Sequence, residues 1–198
     1  LSEKTVVLTG GMGKLGTEFT SALLRAGARV AVFDLIKQAN PLLVELSKNY
    51  PLKFYEVDIT NEDSVIDTMN IVKKTWCTPN VLINNAGWKA SANEPSIASV
   101  PFNKYPMEIW DKIIKLNITG AAICSKIFGE NLIRDGNPGV VVNIGSTYGL
   151  VAPDQSLYDH KDGNNNNPFI KDASYSVSKS ALIAFTRNLA VEWATKGI

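Results

Sequence analysis

The glycine-rich segment Thr9-Gly-Gly-Met-Gly-Lys-Leu-Gly16 constrains the fold of this chain more than any other stretch. It follows a short apolar, β-branched run at residues 6–9 that predicts a buried strand, and a helical pattern begins near Lys14. A strand, a tight turn and a helix in this order bring free N–H groups and the positive end of a helix dipole to one point. The segment therefore predicts a βα unit with a phosphate-binding turn.

The glycines of this turn have separate predicted roles. We expect Gly10 or Gly11 to let the chain turn with a positive φ, and Gly13 to let the backbone approach a pyrophosphate. Gly16 would let the following helix pack against the strand. A glycine-rich turn that only closes an ordinary βα unit is the alternative interpretation.

Asp34 favours nucleotide binding over that alternative. It follows a second apolar run at residues 29–33 and comes about 20 residues after the last glycine of the turn. A carboxylate at the end of the second strand can accept hydrogen bonds from an adenosine ribose.

Composition narrows the remaining classes of protein. The chain has 198 residues, 45% hydrophobic content and a net charge of +1, which predicts one domain over residues 1–198 with a single core. Without a basic cluster or an apolar run of roughly 18 residues, neither nucleic-acid binding nor a membrane span is expected. No signal peptide is recognised, which favours a cytoplasmic protein. Cys77 and Cys124 are isolated and His160 is the single histidine, so we expect no metal site and no histidine-based triad.

Predicted strands and helices alternate along the chain with short connections. We expect strands at residues 6–9, 29–33, 53–57, 80–84 and 139–144. We expect helices at residues 14–26, from Pro41 after an Asn40 cap, at 60–76 with Thr60 and Asp63 as a capping pair, at 107–134 and at 173–196. Repeated βα units of this size predict a doubly wound parallel α/β sheet covered by helices on both faces, the Rossmann fold.

Polar residues follow three of the predicted strands. Asp58 comes after the third strand, Asn84-Asn-Ala-Gly87 after the fourth and Ser146 after the fifth. Because ligands of such sheets bind beyond the carboxyl ends of the strands, these residues predict one binding rim. Helix capping by Asp58 and a simple turn at Asn84 and Asn85 are the alternative interpretations.

Tyr175 and Lys179 are the candidate proton-transfer pair. They lie one turn apart near the start of the last predicted helix, so the phenol and the ammonium share one helix face. Free tyrosine has a pKa of about 10, and an ammonium about 4 Å away favours the phenolate. The pair predicts a proton donor and acceptor for the interconversion of a carbonyl and an alcohol.

The motifs taken together resemble one known family over nearly the whole chain. Thr9-Gly-x-x-Gly-x-x-Gly16, Asp58, Asn84-Asn-Ala-Gly87, Asn117, Ser146 and Tyr175-x-x-x-Lys179 are similar to the motifs of the short-chain dehydrogenase/reductase family. The resemblance implies that Tyr175 is the general acid/base and that Ser146 hydrogen-bonds the substrate oxygen. It also implies that Lys179 holds the nicotinamide ribose and makes the phenol of Tyr175 more acidic. Asn117 would order a water that passes protons to Lys179.

The same resemblance implies a dinucleotide site along the rim. Asp58 and Ile59 would hold the adenine ring, and Asn85 to Gly87 would line the adenosine side. The residues implied to bind the cofactor are Gly10, Met12, Gly13, Lys14, Leu15, Asp34, Asp58, Ile59, Asn85, Ala86, Gly87, Tyr175 and Lys179. NAD is the expected cofactor because Asp34 would repel a 2′-phosphate, while Lys14 and Lys37 leave NADP possible.

Several features depart from the family pattern. The glycine spacing is that of the extended, sugar-nucleotide-modifying branch, although Asn84-Asn-Ala-Gly87 is a sequence of the classical branch, to which we assign the chain. Ser146 and Tyr175 are much further apart than in most members, and Tyr158 with Lys161 has the wrong helical spacing to replace the pair. The chain ends where the family continues into another strand and a substrate-covering segment, so we expect both to be missing.

Two insertions, at residues 88–105 and 152–171, leave the carboxyl end of the predicted sheet. Loops longer than about 12 residues are commonly functional, so we expect a lid over the nicotinamide half of the site. A disordered surface excursion is the alternative, because residues 164–167 are all asparagine. The expected anchors of the lid are aromatic: Trp88, Phe102, Tyr105, Tyr158 and Phe169.

These patterns predict an NAD(P)(H)-dependent oxidoreductase that interconverts a secondary alcohol and a ketone on a polar small molecule, with a sugar derivative favoured over a steroid or acyl chain. The alternatives are a nucleotide-sugar epimerase or dehydratase with tightly held NAD, and a non-catalytic dinucleotide-sensing module. An intact set of Asn117, Ser146, Tyr175 and Lys179 argues against the sensor, which needs no proton relay. The resemblance also implies a homodimer or homotetramer in which the helix at 107–134 and the last helix pair across a two-fold axis.

Overall fold

Five parallel strands form the centre of the molecule. The computed structural model describes residues 1–37, 40–89, 100–161 and 170–198. The strands are β1 (Thr5–Thr9), β2 (Arg29–Asp34), β3 (Leu52–Glu56), β4 (Val81–Asn84) and β5 (Val140–Asn143). Their order in the sheet is β3-β2-β1-β4-β5, and each neighbouring pair is parallel. The chain winds from β1 out to β3 and then crosses to β4, which confirms the predicted doubly wound sheet and leaves a crevice between β1 and β4.

Six α-helices cover the two faces of this sheet in the described part of the chain. They are α1 (Lys14–Arg25), α2 (Pro41–Asn49), α3 (Glu62–Thr75), α4 (Met107–Ile114), α5 (Ala121–Asp135) and α6 (Ala173–Trp193). Asn40 caps α2 as predicted, because its side chain accepts a hydrogen bond from the Leu43 N–H at 2.9 Å. None of the helices that the structure describes is both long and apolar enough to cross a membrane.

The predicted capping pair of α3 is wrong by one residue. Asn61, and not Thr60, caps this helix, with its side chain accepting from the Ser64 N–H at 3.1 Å. Thr60 is engaged elsewhere, because its hydroxyl and its N–H both donate to Asp58 Oδ1, at 2.7 and 2.9 Å. Asp58 therefore closes a turn before the helix and does not cap the helix itself.

The helix predicted at residues 107–134 is not continuous. A wider, π-type turn at Lys115–Gly120 separates α4 from α5. Two packing constraints lie in this turn: the side chain of Asn117 bonds to the main chain of Trp88, and a Cβ at Gly120 would lie 2.7 Å from Ile59 Cδ1. Such turns are common at functional sites, and this one brings Asn117 to the crevice.

Apolar residues pack on both faces of the sheet. Val7 contributes to the core under α3 and α5, whereas Val6 and Leu8 contribute to the core on the opposite face, as the alternation of side chains along a strand requires. All of β1 is inaccessible to solvent, which is typical of the central strand of a parallel sheet. Cys124 of α5 is fully buried in the first core, and burial raises the pKa of its thiol to about 12.

Candidate functional site

A cleft of about 580 Å³ lies beyond the carboxyl ends of β1 to β4. It brings together most of the residues implied to bind a dinucleotide: Gly10, Gly13, Lys14, Leu15, Asp34, Asp58, Ile59, Asn85, Ala86 and Gly87. Met12 lies in the same turn but is not part of the lining. The Lys179 amine lies next to Gly87 at one end of the cleft, and the ring of Tyr175 lies beside this amine. Among the described residues, no group of three His, Cys, Asp or Glu side chains is placed to hold a metal ion.

The turn between β1 and α1 is packed too tightly to accept side chains. Gly10, and not Gly11, has the positive φ, of 65°, and a Cβ added there would lie 2.7 Å from Ala86 Cα. A Cβ at Gly16 would lie 2.2 Å from the carbonyl oxygen of Gly10. Gly16 therefore lets α1 pack against the turn itself, which corrects the expectation of a contact with the strand.

Asn85 ties the end of β4 to this turn. Its side-chain amide donates to the carbonyl oxygens of Thr9 and Gly10, both at 3.0 Å. In return, Thr9 Oγ1 accepts the N–H groups of Asn85 and Ala86, at 3.1 and 3.0 Å. Both amide hydrogens of Asn85 are used in these bonds, so this side chain fixes the shape of the cleft and has no hydrogen left to donate to a ligand.

Asp34 lies at the opposite wall of the cleft. Its Oδ2 accepts the N–H of Met12 at 2.9 Å, and its Oδ1 accepts the N–H of Ile36 at 3.0 Å. Each carboxylate oxygen keeps a further lone pair. Nearby, Lys37 forms an exposed ion pair with Glu56 at 3.2 Å, so its ammonium is drawn towards β3.

Lys179 is buried where the ends of β4 and β5 meet α6. Its side chain is 4% exposed, and its Nζ donates to the carbonyl oxygen of Ile144 at 2.6 Å. The ammonium lies 5.9 Å from the centre of the Tyr175 ring, on the same side of α6. A Cβ at Gly87 would lie 3.7 Å from Nζ, so the amine faces the end of the cleft. Burial lowers the pKa of this ammonium.

Asn117 is held by bonds to two different elements. Its Oδ1 accepts the Trp88 N–H at 2.8 Å, and its Nδ2 donates to the Trp88 carbonyl oxygen and to Ser178 Oγ, both at 3.0 Å. Both amide hydrogens are therefore used. A water relay at Asn117 would have to use the second lone pair of Oδ1 or a main-chain carbonyl of the wide turn.

Ser146 begins a short turn at the end of β5. Its Oγ accepts the N–H of Tyr148 at 3.2 Å, which leaves its own hydroxyl hydrogen for a further partner. The Tyr148 hydroxyl bonds in turn to the hydroxyl of Tyr158 at 2.6 Å. The ammonium of Lys171 lies 5.5 and 5.3 Å from the two rings. The structure thus places Tyr158 against Tyr148.

Two buried residues at the start of α6, and the bond that joins them to the expected lid anchor Tyr105, were not predicted from the sequence. Asp172 caps the helix by accepting the Tyr175 N–H at 3.0 Å, and the hydroxyl of Ser174 donates to the same carboxylate oxygen at 2.6 Å. The Tyr105 hydroxyl bonds to Ser174 Oγ at 2.9 Å. Aspartate is a preferred capping residue, so its position just before residue 173 was a usable signal. No sequence pattern links Tyr105 to this helix.

The two insertions are described only in part. Residues 90–99 and 162–169, including Phe169 and the asparagine run, lie outside the described residues. Of the expected anchors, Tyr105 is buried, whereas Phe102 is 65% exposed and packs edge-on against Trp110. Gln155 and Lys171 close the base of the second insertion, because Gln155 Oε1 accepts the Lys171 N–H at 2.9 Å.

Comparison with known proteins identifies the family of this chain. The sequence model of the family described as short chain dehydrogenase matches residues 4–158. Tyr175 and Lys179 lie after that span. The chain is 25% identical to an NAD-dependent glycerol dehydrogenase of Listeria innocua, over 100% of this chain and 68% of the relative. It is 31% identical to a probable NADP-dependent mannitol dehydrogenase of Yarrowia lipolytica, over 98% of this chain and 63% of the relative.

A solved structure gives the same fold. The short chain dehydrogenase of Leptospira borgpetersenii with bound NAD+ superposes with a TM-score of 0.82 at 26% identity, over 100% of this chain and 68% of that one. The chain thus spans about two thirds of the length of these proteins.

Proposed function

Because the chain is a member of the short-chain dehydrogenase family, we propose that the full-length protein interconverts a secondary alcohol and a ketone with NAD(H). The observation that carries this proposal is the placement of the Lys179 ammonium. It is buried beside the ring of Tyr175 and faces the Gly87 end of a cleft lined by glycine and carboxylate residues. A buried cation next to a phenol is an arrangement for proton transfer, and a purely structural helix would gain little from it.

The residues of the cleft fit a dinucleotide. Gly10, Gly13 and Gly16 line the cleft at the N-terminus of α1, where main-chain N–H groups and the helix dipole favour a pyrophosphate. At the other end, a Cβ at Gly87 would lie 3.4 Å from Asn117 Oδ1, so glycine keeps open the space beside the amine. A nicotinamide cofactor held there would supply the acceptor or donor of the hydride.

The residues of the chain supply the proton transfer. In alcohol oxidation, the substrate hydroxyl gives its proton to the phenolate of Tyr175 while the hydride leaves the carbinol carbon. Ser146 donates its remaining hydroxyl hydrogen to the substrate oxygen. The ammonium of Lys179 lies beside the ring of Tyr175, and its bond to the carbonyl oxygen of Ile144 fixes the position of this charge.

Cofactor choice follows from the charges around the adenosine end. Asp34 can accept hydrogen bonds from both ribose hydroxyls and would repel a 2′-phosphate. Glu56 holds Lys37 in an ion pair, and Lys14 and Lys89 are the cations among the described residues that line the cleft. We expect Kd to be lower for NAD(H) than for NADP(H), as titration of both will show. Equal or tighter NADP(H) binding would contradict the assignment.

We propose a polar, sugar-derived substrate such as a polyol. The glycerol and mannitol dehydrogenases among the relatives act on polyols by name, and the Tyr148 and Tyr158 hydroxyls lie on the Ser146 side of the site. The test is a turnover screen of the full-length protein with NAD+ and NADP+ across polyols, sugars, steroids and acyl substrates, read by reduced nicotinamide. Tightly co-purified NAD with no net reduction would favour an epimerase or dehydratase, and cofactor binding without any turnover would favour the sensor.

A second copy of the chain is the partner that we propose for the α5–α6 face. An apolar cleft of about 760 Å³ lies there, lined by Ala122, Ile123, Ile133, Phe185, Leu189 and Trp193 with charges of both signs at its rim. Leu182 of the same helix is buried within the chain and is not available for this contact. Sedimentation should show a dimer or tetramer that Leu189→Glu dissociates and that Val191→Glu, on the exposed side of α6, does not. A stable monomer at micromolar concentration would contradict the proposal.

We also propose that the second insertion is a lid. The bond between Gln155 and Lys171 holds its two ends together, so residues 156–168 can be replaced by a short Gly-Ser bridge. The replacement should raise KM for the substrate while the Kd of the cofactor stays unchanged. Unchanged kinetics would leave the surface excursion as the better description.

A further inference from the structure

Tyr105, Ser174 and Asp172 form a buried chain of hydrogen bonds at the start of α6. They are 7%, 0% and 6% exposed. The three come from two distant parts of the sequence, because Tyr105 ends the first insertion and Asp172 follows the second. A buried carboxylate is costly unless it is hydrogen-bonded, and here one of its oxygens accepts two bonds.

The direction of each bond follows from counting hydrogens. The hydroxyl of Ser174 has one hydrogen, and Asp172 accepts it at 2.6 Å. The bond of 2.9 Å between Tyr105 and Ser174 must then use the hydrogen of the phenol, so Tyr105 donates. Burial, together with the nearby charge of Asp172, raises the pKa of the Tyr105 phenol, which keeps it protonated for this role.

The main chain of Tyr175 is held at both ends. Its N–H donates to Asp172 at 3.0 Å, and its carbonyl oxygen accepts the hydroxyl of Ser178 at 2.7 Å. Ser178 in turn accepts a hydrogen of Asn117. The first turn of α6 is therefore fixed from the side of α4 as well as from the wide turn that follows α4.

We propose that Tyr105, Ser174 and Asp172 are positioning residues that hold the phenol of Tyr175 at the angle needed for proton transfer. The inference rests on the proposed oxidoreductase activity. It also means that the two insertions converge on the first turn of α6, one through Tyr105 and the other through Asp172. A displacement of about 1 Å at a reacting group can cost up to about 10²-fold in rate, so loss of one bond in this chain should lower kcat about tenfold.

The test compares Tyr105→Phe with Tyr55→Phe in the full-length protein. Tyr105→Phe removes one buried oxygen and keeps the ring, whereas Tyr55 packs against Phe33 on the adenosine side, away from α6. We expect Tyr105→Phe to lower kcat about tenfold with an unchanged cofactor Kd, and Tyr55→Phe to leave kcat unchanged. Asp172→Asn keeps an oxygen that can cap the helix, so it should retain most of the wild-type activity. Asp172→Ala removes this oxygen and should lose activity. All assays are run well below the Tm of every variant, so that loss of stability alone does not lower kcat.

Unchanged kcat in both Tyr105→Phe and Ser174→Ala would overturn the inference. Failure of the wild type to turn over any substrate would overturn the proposed function instead. In that event, amide hydrogen exchange still tests the inference. Faster exchange at residues 175–178 in Asp172→Ala and Tyr105→Phe would support the chain of hydrogen bonds as the restraint on the first turn of α6. Exchange equal to that of the wild type would overturn it.

Discussion

The two halves of the candidate site, the cleft and the region beside β5 and α6, are built in opposite ways. The adenosine half is shaped by missing side chains: Gly10 and Gly16 leave no room for a Cβ, and main-chain groups supply its donors. The half next to β5 and α6 is shaped by buried side chains, among them Asn117 and Lys179, which are bonded across the fold. The first half is therefore sensitive to added atoms, and the second to the loss of single polar atoms.

The largest expected effect comes from removing one oxygen in the second half. Tyr175→Phe should lower kcat by about 10² to 10⁴, because the phenol carries the proton, while the Kd of NAD stays nearly unchanged. Steady-state kinetics and a cofactor titration measure the two quantities. Tyr50→Phe, at the exposed end of α2, is the matched control and should behave as the wild type. A Tyr175→Phe variant with most of its activity would show that another group transfers the proton.

The next effect comes from adding one carbon in the first half. Gly10 and Gly136 have nearly the same φ, of 65° and 66°, but a Cβ at Gly10 meets Ala86 whereas none of the described atoms lies within 4 Å at Gly136. Gly136→Ala should cost about 1 kcal/mol of backbone strain, and Gly10→Ala about 1–3 kcal/mol more. We expect Kd for NAD to rise at least about tenfold in Gly10→Ala alone, since the turn must open. Equal denaturation midpoints for both variants would refute the packing argument.

Replacing Asp34 tests whether a side-chain charge sets cofactor preference in the adenosine half, which is shaped mainly by the main chain. Asp34→Asn keeps an oxygen that can accept the Met12 or Ile36 N–H but removes the negative charge. The preference for NAD over NADP should fall about tenfold, which corresponds to about 1.4 kcal/mol. Titration with both cofactors measures the ratio, and Glu56→Gln serves as a comparison that frees Lys37 while leaving Asp34 charged. An unchanged ratio in Asp34→Asn would assign cofactor choice to other residues.

The smallest effect concerns the stability cost of the buried amine. Burial lowers the pKa of Lys179 in the native state from its ordinary value of 10.5. The unfolded chain therefore binds this proton more tightly than the native state does. Burying the charged amine lowers the free energy of unfolding, and this loss is present in full at pH values below the lowered pKa. As the pH increases from the lowered pKa towards 10.5, the free energy of unfolding rises.

Lys179→Met should remove this dependence. We expect the variant to gain stability relative to the wild type at neutral pH and to lose that advantage towards about pH 10. Urea denaturation over this pH range measures the difference, and Lys53→Met, which removes an exposed ammonium from β3, should keep the wild-type slope. A difference between Lys179→Met and wild type that does not vary with pH would contradict the assigned cause.

The elements that the sequence predicts well are those that depend on near neighbours. The turn after β1, the Asn40 cap and the order of strands and helices all follow from residues within one or two turns of each other. The cap of α3 was misplaced because Thr60 and Asn61 are adjacent residues that can both cap, and the bond to Asp58 decides between them.

The contacts that the sequence does not predict join residues that are far apart in the chain. Asn117 was recognised as a site residue, but its bonds to Trp88 and Ser178, and the wide turn that accommodates them, depend on the packing of three elements. The same holds for Tyr105 and Ser174. Periodicity predicts which residues face the sheet, whereas the pairing of one buried polar group with another is decided by tertiary structure.

The reactivity of Cys124 reports how often α5 separates from the sheet. The chain has two cysteines, and the thiol of Cys124 is sealed in the core with a pKa of about 12. An alkylating reagent at neutral pH therefore reaches Cys124 only when α5 separates from the strands, because the reagent needs access and a thiolate. The half-buried Cys77 serves as the internal reference for reagent activity. The ratio of the two labelling rates then measures how often α5 separates from the strands, and the measurement needs no substrate.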